Sequence, residues 1–107
     1  MQNVNEVDFG LKSIDLLSVS KTFENFAEIE KALIFGSRAK GNYKPYSDID
    51  IALFGSKIDL TLQNKIENQL DDLLLPYKFD VCVFDKIDSE ELIDHIDRVG
   101  IEIFSRN

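Results

Sequence analysis

Short apolar runs alternating with stretches of helical period constrain this chain more than any other feature. Residues 32–35, Ala-Leu-Ile-Phe, form an apolar run stopped by Gly36. Residues 48–54 alternate Asp, Ile, Asp, Ile before becoming apolar, and Gly55-Ser56 ends them. Residues 79–84 are a β-branched and aromatic run. Each has the length and composition of a strand. Around them the period changes. Leu11, Ile14 and Leu17, then Val19, Phe23 and Phe26, predict a helix over about 10–27 with a break near residues 18–20. Leu62, Ile66, Leu70 and Leu73 share one stripe of a helix running from Asp59 to about Leu74, which Pro76 stops. Asp88 followed by Glu91 reads as a capping box. It opens a helix carrying Leu92, Ile93, Ile96 and Val99, closed by Gly100. Residues 101–104 suit a last short strand, and residues 1–8 are polar and expected to fray. Gly41-Asn42 and Lys44-Pro45 mark a loop. Such alternation implies a sheet covered by helices, of α/β or α+β class.

A length of 107 residues fits a single domain, 1–107. The chain is 44% apolar and 30% charged, too apolar for a disordered segment. No apolar run approaches the roughly 20 residues that span a bilayer. Glu6, Asp8, Lys12 and Asp15 leave no apolar stretch for a signal peptide. One cysteine, Cys82, cannot form an internal disulfide, which fits a reducing cytoplasm. A formal charge of −8 argues against a general nucleic-acid binder.

The distribution of charge says more than its sum. Residues 31–47 hold Lys31, Arg38, Lys40 and Lys44 and no acidic residue. That window is +4 inside a chain of −8, leaving −12 for the rest. Asp48 and Asp50 follow at once. Chance clustering on an exposed loop gives such a window often enough. A bound polyphosphate explains it equally well, with basic groups and backbone amides on the phosphates and carboxylates on the accompanying metal.

Gly36 lets the backbone approach a phosphate closely, and Ser37 adds a hydroxyl at the opening of a helical turn. Ten residues separate Ser37 from Asp48, and Asp50 follows at i+2. On a strand these two carboxylates stand on one face, with Ile49 and Ile51 on the other. Like charges side by side on a strand repel, and a cation between them relieves the repulsion. Oxygen-only donors select a hard ion such as Mg²⁺. Asp80 joins the pair if the third strand lies beside the second. It can then ligate metal or take a proton from an attacking hydroxyl. An isolated Asp-x-Asp pair more often just keeps a sheet edge from sticking. Here Gly36-Ser37, the basic loop and Asp80 together reverse that preference.

Gly36-Ser37, the ten-residue gap and Asp48-x-Asp50, set within Phe35-Gly36-Ser37-Arg38-Ala39-Lys40-Gly41 and Ser47-Asp48-Ile49-Asp50, closely resemble the minimal nucleotidyltransferases of the DNA polymerase beta-like superfamily. The likeness extends through Leu75-Pro76-Tyr77 to Arg98-Val99-Gly100. It implies a mixed sheet flanked by helices, the polymerase beta-like palm. It implies that Gly36 and Ser37 hold an NTP triphosphate, with Arg38 the best placed of the basic residues to add a contact. A structural ion pair is the other role open to Arg38. Asp48, Asp50 and Asp80 would be the catalytic, Mg²⁺-binding carboxylates. The reaction would be in-line attack of a hydroxyl on the α-phosphorus of ATP, releasing pyrophosphate. Relatives of this size are often antitoxins paired with an adjacently encoded helical HEPN protein. The implied activity is AMP transfer to a tyrosine hydroxyl of that partner.

Two further functions remain open: a binding module that neutralises its partner by contact, and transfer to a small molecule or RNA end presented by a separate subunit. Other chemistry-bearing residues have plainer readings. His95, the one histidine, reads as a surface or boundary residue, so zinc is not expected. Cys82 reads as a small core residue. Tyr43 and Tyr46 suit loop packing better than base stacking. Phe9, Phe23, Phe26, Phe79 and Phe84 read as core or partner-facing aromatics. Asp71, Asp72, Glu90, Glu91 and Asp94 read as solvated helix faces.

Overall fold

A computed structural model describes residues 9–106. The frayed segment expected at 1–8 lies outside them. In chain order the elements are α1 (Ser13–Glu24), β1 (Lys31–Phe35), α2 (Gly36–Lys40), β2 (Ile49–Phe54), α3 (Leu60–Asp71), β3 (Phe79–Val83), α4 (Glu90–Val99) and β4 (Ile101–Ser105). A single turn of 3₁₀ helix, Phe84–Lys86, follows β3. The four strands form one mixed sheet in the order β3-β2-β1-β4. β1 is antiparallel to β2 and β4, whereas β2 and β3 run parallel.

Strand alternation divides the side chains between two faces. Ile34, Ile49, Ile51, Leu53, Val81 and Val83 take one face and form the main core with Phe9, Val19, Phe23, Ile66 and Leu70. α1 and α3 cover that side. Phe35 and Ala52 take the other face, packed with Ile96 of α4 and with Leu33, Cys82, Leu92 and Val99. Among the described residues no helix is long and apolar enough to cross a membrane.

Several boundaries differ from the sequence reading. α1 is continuous where a break was expected, because its hydroxyls bond within the helix instead of disrupting it. Ser18 donates to the Ile14 carbonyl at 3.1 Å and Thr22 to the Ser18 carbonyl at 3.0 Å. Ser20 turns away and donates to the Ile103 carbonyl on β4. The cap of α4 is Ser89, whose side chain accepts from the Leu92 amide; Asp88 is one residue too early. α3 starts where expected, with Asp59 as its cap, but ends at Asp71. Leu74 has φ 55, so the chain has left the helix two residues before Pro76.

Candidate active site

The carboxylates meet at one end of the sheet, on the face shared with α4. Asp50 pairs in register with Asp80 across the parallel β2 and β3, and with Phe35 across β1. Residues in register on neighbouring strands point to the same face, so the Asp50 and Asp80 side chains stand side by side. Asp48 directly precedes β2, two residues from Asp50. Asp50 is half-buried, while Asp48 and Asp80 are exposed. Burial raises the Asp50 carboxyl above its ordinary 3.8, and the charges of Asp80 and Asp48 raise it further. The three groups therefore sense one another.

The first strand delivers its turn to the same place. Gly36 follows Phe35 immediately and has φ 73. A β-carbon there would collide with Asp50 Oδ2. The glycine is thus required twice, by its left-handed backbone and by the carboxylate lying against it. Ser37 sits in the first turn of α2, half-buried, its hydroxyl without a hydrogen-bond partner among the described residues. Gly41, with φ 86, closes the short helix and donates its N–H to the Ser37 carbonyl. The turn's other anchor is His95 of α4, whose Nε2 accepts from the Gly36 N–H at 3.2 Å. The sequence pattern put His95 at a boundary and missed this contact. The residue lies one position from the buried Ile96, and only the packing of α4 shows which group it meets.

Arg38 is not brought to this cluster. It is 2% exposed and its guanidinium is committed to backbone carbonyls. Nε and Nη2 donate to Ser47 at 3.1 and 2.9 Å, Nη1 donates to Phe9 at 2.8 Å, and Nη2 also reaches Pro45. The rings of Tyr43 and Tyr77 lie 5.1 and 5.6 Å from its carbon centre. Among the described residues its guanidinium meets backbone carbonyls and no carboxylate. It ties the loop between α2 and β2 to Phe9. Tyr43 serves the same packing, while Tyr46 is 83% exposed. Lys40 and Lys44 are exposed on the loop's flanks. Cys82 is partly buried, and burial with the nearby Asp80 and Asp50 charges pushes its thiol up to about 11.

Among the described residues no three His, Cys, Asp or Glu side chains form a ready-made metal cage. The donors nevertheless suit a hard cation. They are all oxygen, they repel one another, and they open to solvent. Mg²⁺ takes one or two carboxylates and completes its shell with water and substrate phosphates, so a closed protein cage is not required.

Residues 18–107 match the family model described as polymerase beta, nucleotidyltransferase. Over 72 residues, 66% of this chain and 63% of the relative, the sequence is 28% identical to a probable protein adenylyltransferase MntA of Haemophilus influenzae. The chain thus spans just under two thirds of that relative's length. Among solved structures, one of a toxin–antitoxin with AMP-PNP is similar with a TM-score of 0.69 at 19% identity, over 91% of this chain and 76% of that one. Another, of a tri-AMPylated Shewanella oneidensis HEPN toxin in complex with MNT antitoxin, gives 0.67 at 20% identity, over 89% and 73%. At these identities the likeness is one of fold.

Proposed function

Since the chain belongs to the polymerase beta nucleotidyltransferase family, we propose that it is a Mg²⁺-dependent protein adenylyltransferase that moves AMP from ATP to a tyrosine hydroxyl of a HEPN-type partner and so acts as an antitoxin. The observation that carries the reading is the packing of Gly36 against the Asp50 carboxylate, with Asp80 in register beside it. That packing sets the Gly36–Ser37 turn and the Asp50 and Asp80 carboxylates on the same end of one sheet. The adenylyltransferase activity and the partner are supported by the similarity to MntA and to the toxin–antitoxin structures.

Each residue then has a task. The amides that follow Gly36 in the first turn of α2 have no helical acceptor and donate to the triphosphate, together with the Ser37 hydroxyl. Asp48, Asp50 and Asp80 would hold Mg²⁺, which supplies charge neutralisation for the phosphates and the departing pyrophosphate. Asp80, more exposed than Asp50, accepts the proton of the attacking hydroxyl. The acceptor oxygen bonds to the α-phosphorus as the bond to the β-phosphate bridging oxygen breaks. AMP stays on the acceptor and pyrophosphate leaves. No covalent bond to this chain is needed.

The test is incubation of the chain with α-labelled ATP, Mg²⁺ and a HEPN protein encoded beside it. The partner should become labelled, and Asp48→Asn should remove the label. Full labelling by Asp48→Asn would refute the carboxylate assignment. A wild-type chain that inhibits its partner without ever labelling it would establish neutralisation by contact instead.

A further inference from the structure

Resting on that reading, we propose that His95 is a positioning residue for the nucleotide, setting which donors of the Gly36–Ser37 turn meet the triphosphate. The N-cap position of α2, Phe35, offers no side-chain hydrogen bond to the helix start. Another element caps it instead, because the Gly36 N–H is taken by His95 Nε2. An accepting Nε2 is unprotonated, so the ring proton sits on Nδ1. The ring packs edge-to-face with Phe35 at 6.0 Å between centroids, and the next residue in α4, Ile96, is fully buried against the sheet.

Two consequences follow. With the first amide occupied, the phosphate tail is received by the donors that come after it, starting at Ser37. The turn is also held at two points, by His95 of α4 on the Gly36 amide and by the Asp50 carboxylate against the Gly36 α-carbon, so its angle to the carboxylates depends on a helix that contributes nothing to the chemistry. Loss of the clamp leaves a part-buried amide unpaired and the turn free to swing away from the carboxylates. It weakens nucleotide binding more than it slows transfer.

The experiment measures affinity of the full chain for AMP-PNP with Mg²⁺, and KM and kcat for labelling of the partner. His95→Leu removes the acceptor, and His95→Phe keeps an aromatic edge against Phe35. His95→Gln carries an amide oxygen to about the place of Nε2. We expect His95→Leu and His95→Phe to weaken AMP-PNP binding and raise KM about tenfold, the effect of one lost hydrogen bond. The kcat should change by less than about threefold, and His95→Gln should recover most of the affinity. Wild-type affinity in folded His95→Phe, or no recovery in His95→Gln, overturns the inference and leaves the enzymatic reading standing. A wild-type chain that binds no Mg²⁺–AMP-PNP removes the enzymatic reading, and this inference with it.

Discussion

Asp50 is kept against its own electrostatic interest. Its carboxyl is half-buried and lies beside two like charges, so its affinity for a proton is raised. The sign of the pH effect follows. The native state binds a proton that the unfolded chain has released, so this residue's favourable contribution is complete below the ordinary 3.8 and is lost as pH rises through the higher folded value. Asp50→Asn should therefore abolish transfer and still stabilise the free protein near neutral pH. After screening by solvent, the gain is a few tenths to about 1 kcal/mol. Calorimetry of the two proteins from below the ordinary 3.8 up to neutral pH checks it. A lower melting temperature for Asp50→Asn at neutral pH would show that the charge is already compensated. Gly36→Ala errs in the opposite direction. It puts a methyl group onto Asp50 Oδ2 at φ 73, so activity should fall at least a hundredfold, with about 1–3 kcal/mol of stability lost in urea melts. Cys82 offers a control on the same face. With its thiol pushed up to about 11, native alkylation at pH 8 should run about a hundredfold slower than that of an ordinary thiol.

Short elements here are fixed by arginines that, among the described residues, bind carbonyls and not carboxylates. Arg38 gathers the carbonyls of Phe9, Pro45 and Ser47, and Arg106 gathers those of Phe23, Phe26 and Ile29. α2 has only five residues, too few to stand by propensity, and the loop after it reaches β2 through this arginine. Arg38→Lys keeps the charge and loses the fork, leaving buried carbonyls unpaired. It should lower stability by about 2–4 kcal/mol. At temperatures where the protein remains folded, its KM for ATP should be close to wild type. Urea titration and kinetics separate the two effects, and a large KM change without a stability change would return Arg38 to the phosphates. The basic loop shows why sequence reading stops where it does. The charge window was legible, but charge does not say which cation points inward, and Arg38 is the one that does. The three apolar strands were legible because period alone determines them, although Asp48 falls just before β2 and not inside it as the alternation suggested. The uninterrupted α1 and the Ser89 cap were not, since each depends on a hydroxyl choosing between local partners. His95 was illegible for a third reason: its partner is 59 residues away and is a backbone amide, which leaves no mark in side-chain pattern.

At the scale of the whole molecule, the two faces of the sheet have unequal work. One carries the main core under α1 and α3, and the other is covered by α4. Asp50, Asp80 and the Gly36 turn come together on the α4 side, where His95 of α4 meets the Gly36 amide. The larger core and the proposed site thus lie on opposite faces, and the core can hold the strands in register while like charges repel at their ends. This division makes ligand binding a large fraction of total stability for so small a domain. A nucleotide and cation at about one hundred times their dissociation constant contribute about 2.7 kcal/mol. In a domain of about this size each kcal/mol shifts the melting temperature by roughly 4–8 °C. Mg²⁺ with AMP-PNP should therefore raise the melting temperature of the wild type by about 10 °C or more. Mg²⁺ alone should raise it slightly, by relieving the repulsion among the carboxylates, and EDTA should reverse both shifts. The combined Asp48→Asn, Asp50→Asn, Asp80→Asn variant should melt higher than wild type without ligand and respond to neither addition. A variant that still gained the full shift from Mg²⁺–AMP-PNP would place the nucleotide away from these strands. The face beside α4 would then need another explanation for three unneutralised acids at the end of a sheet.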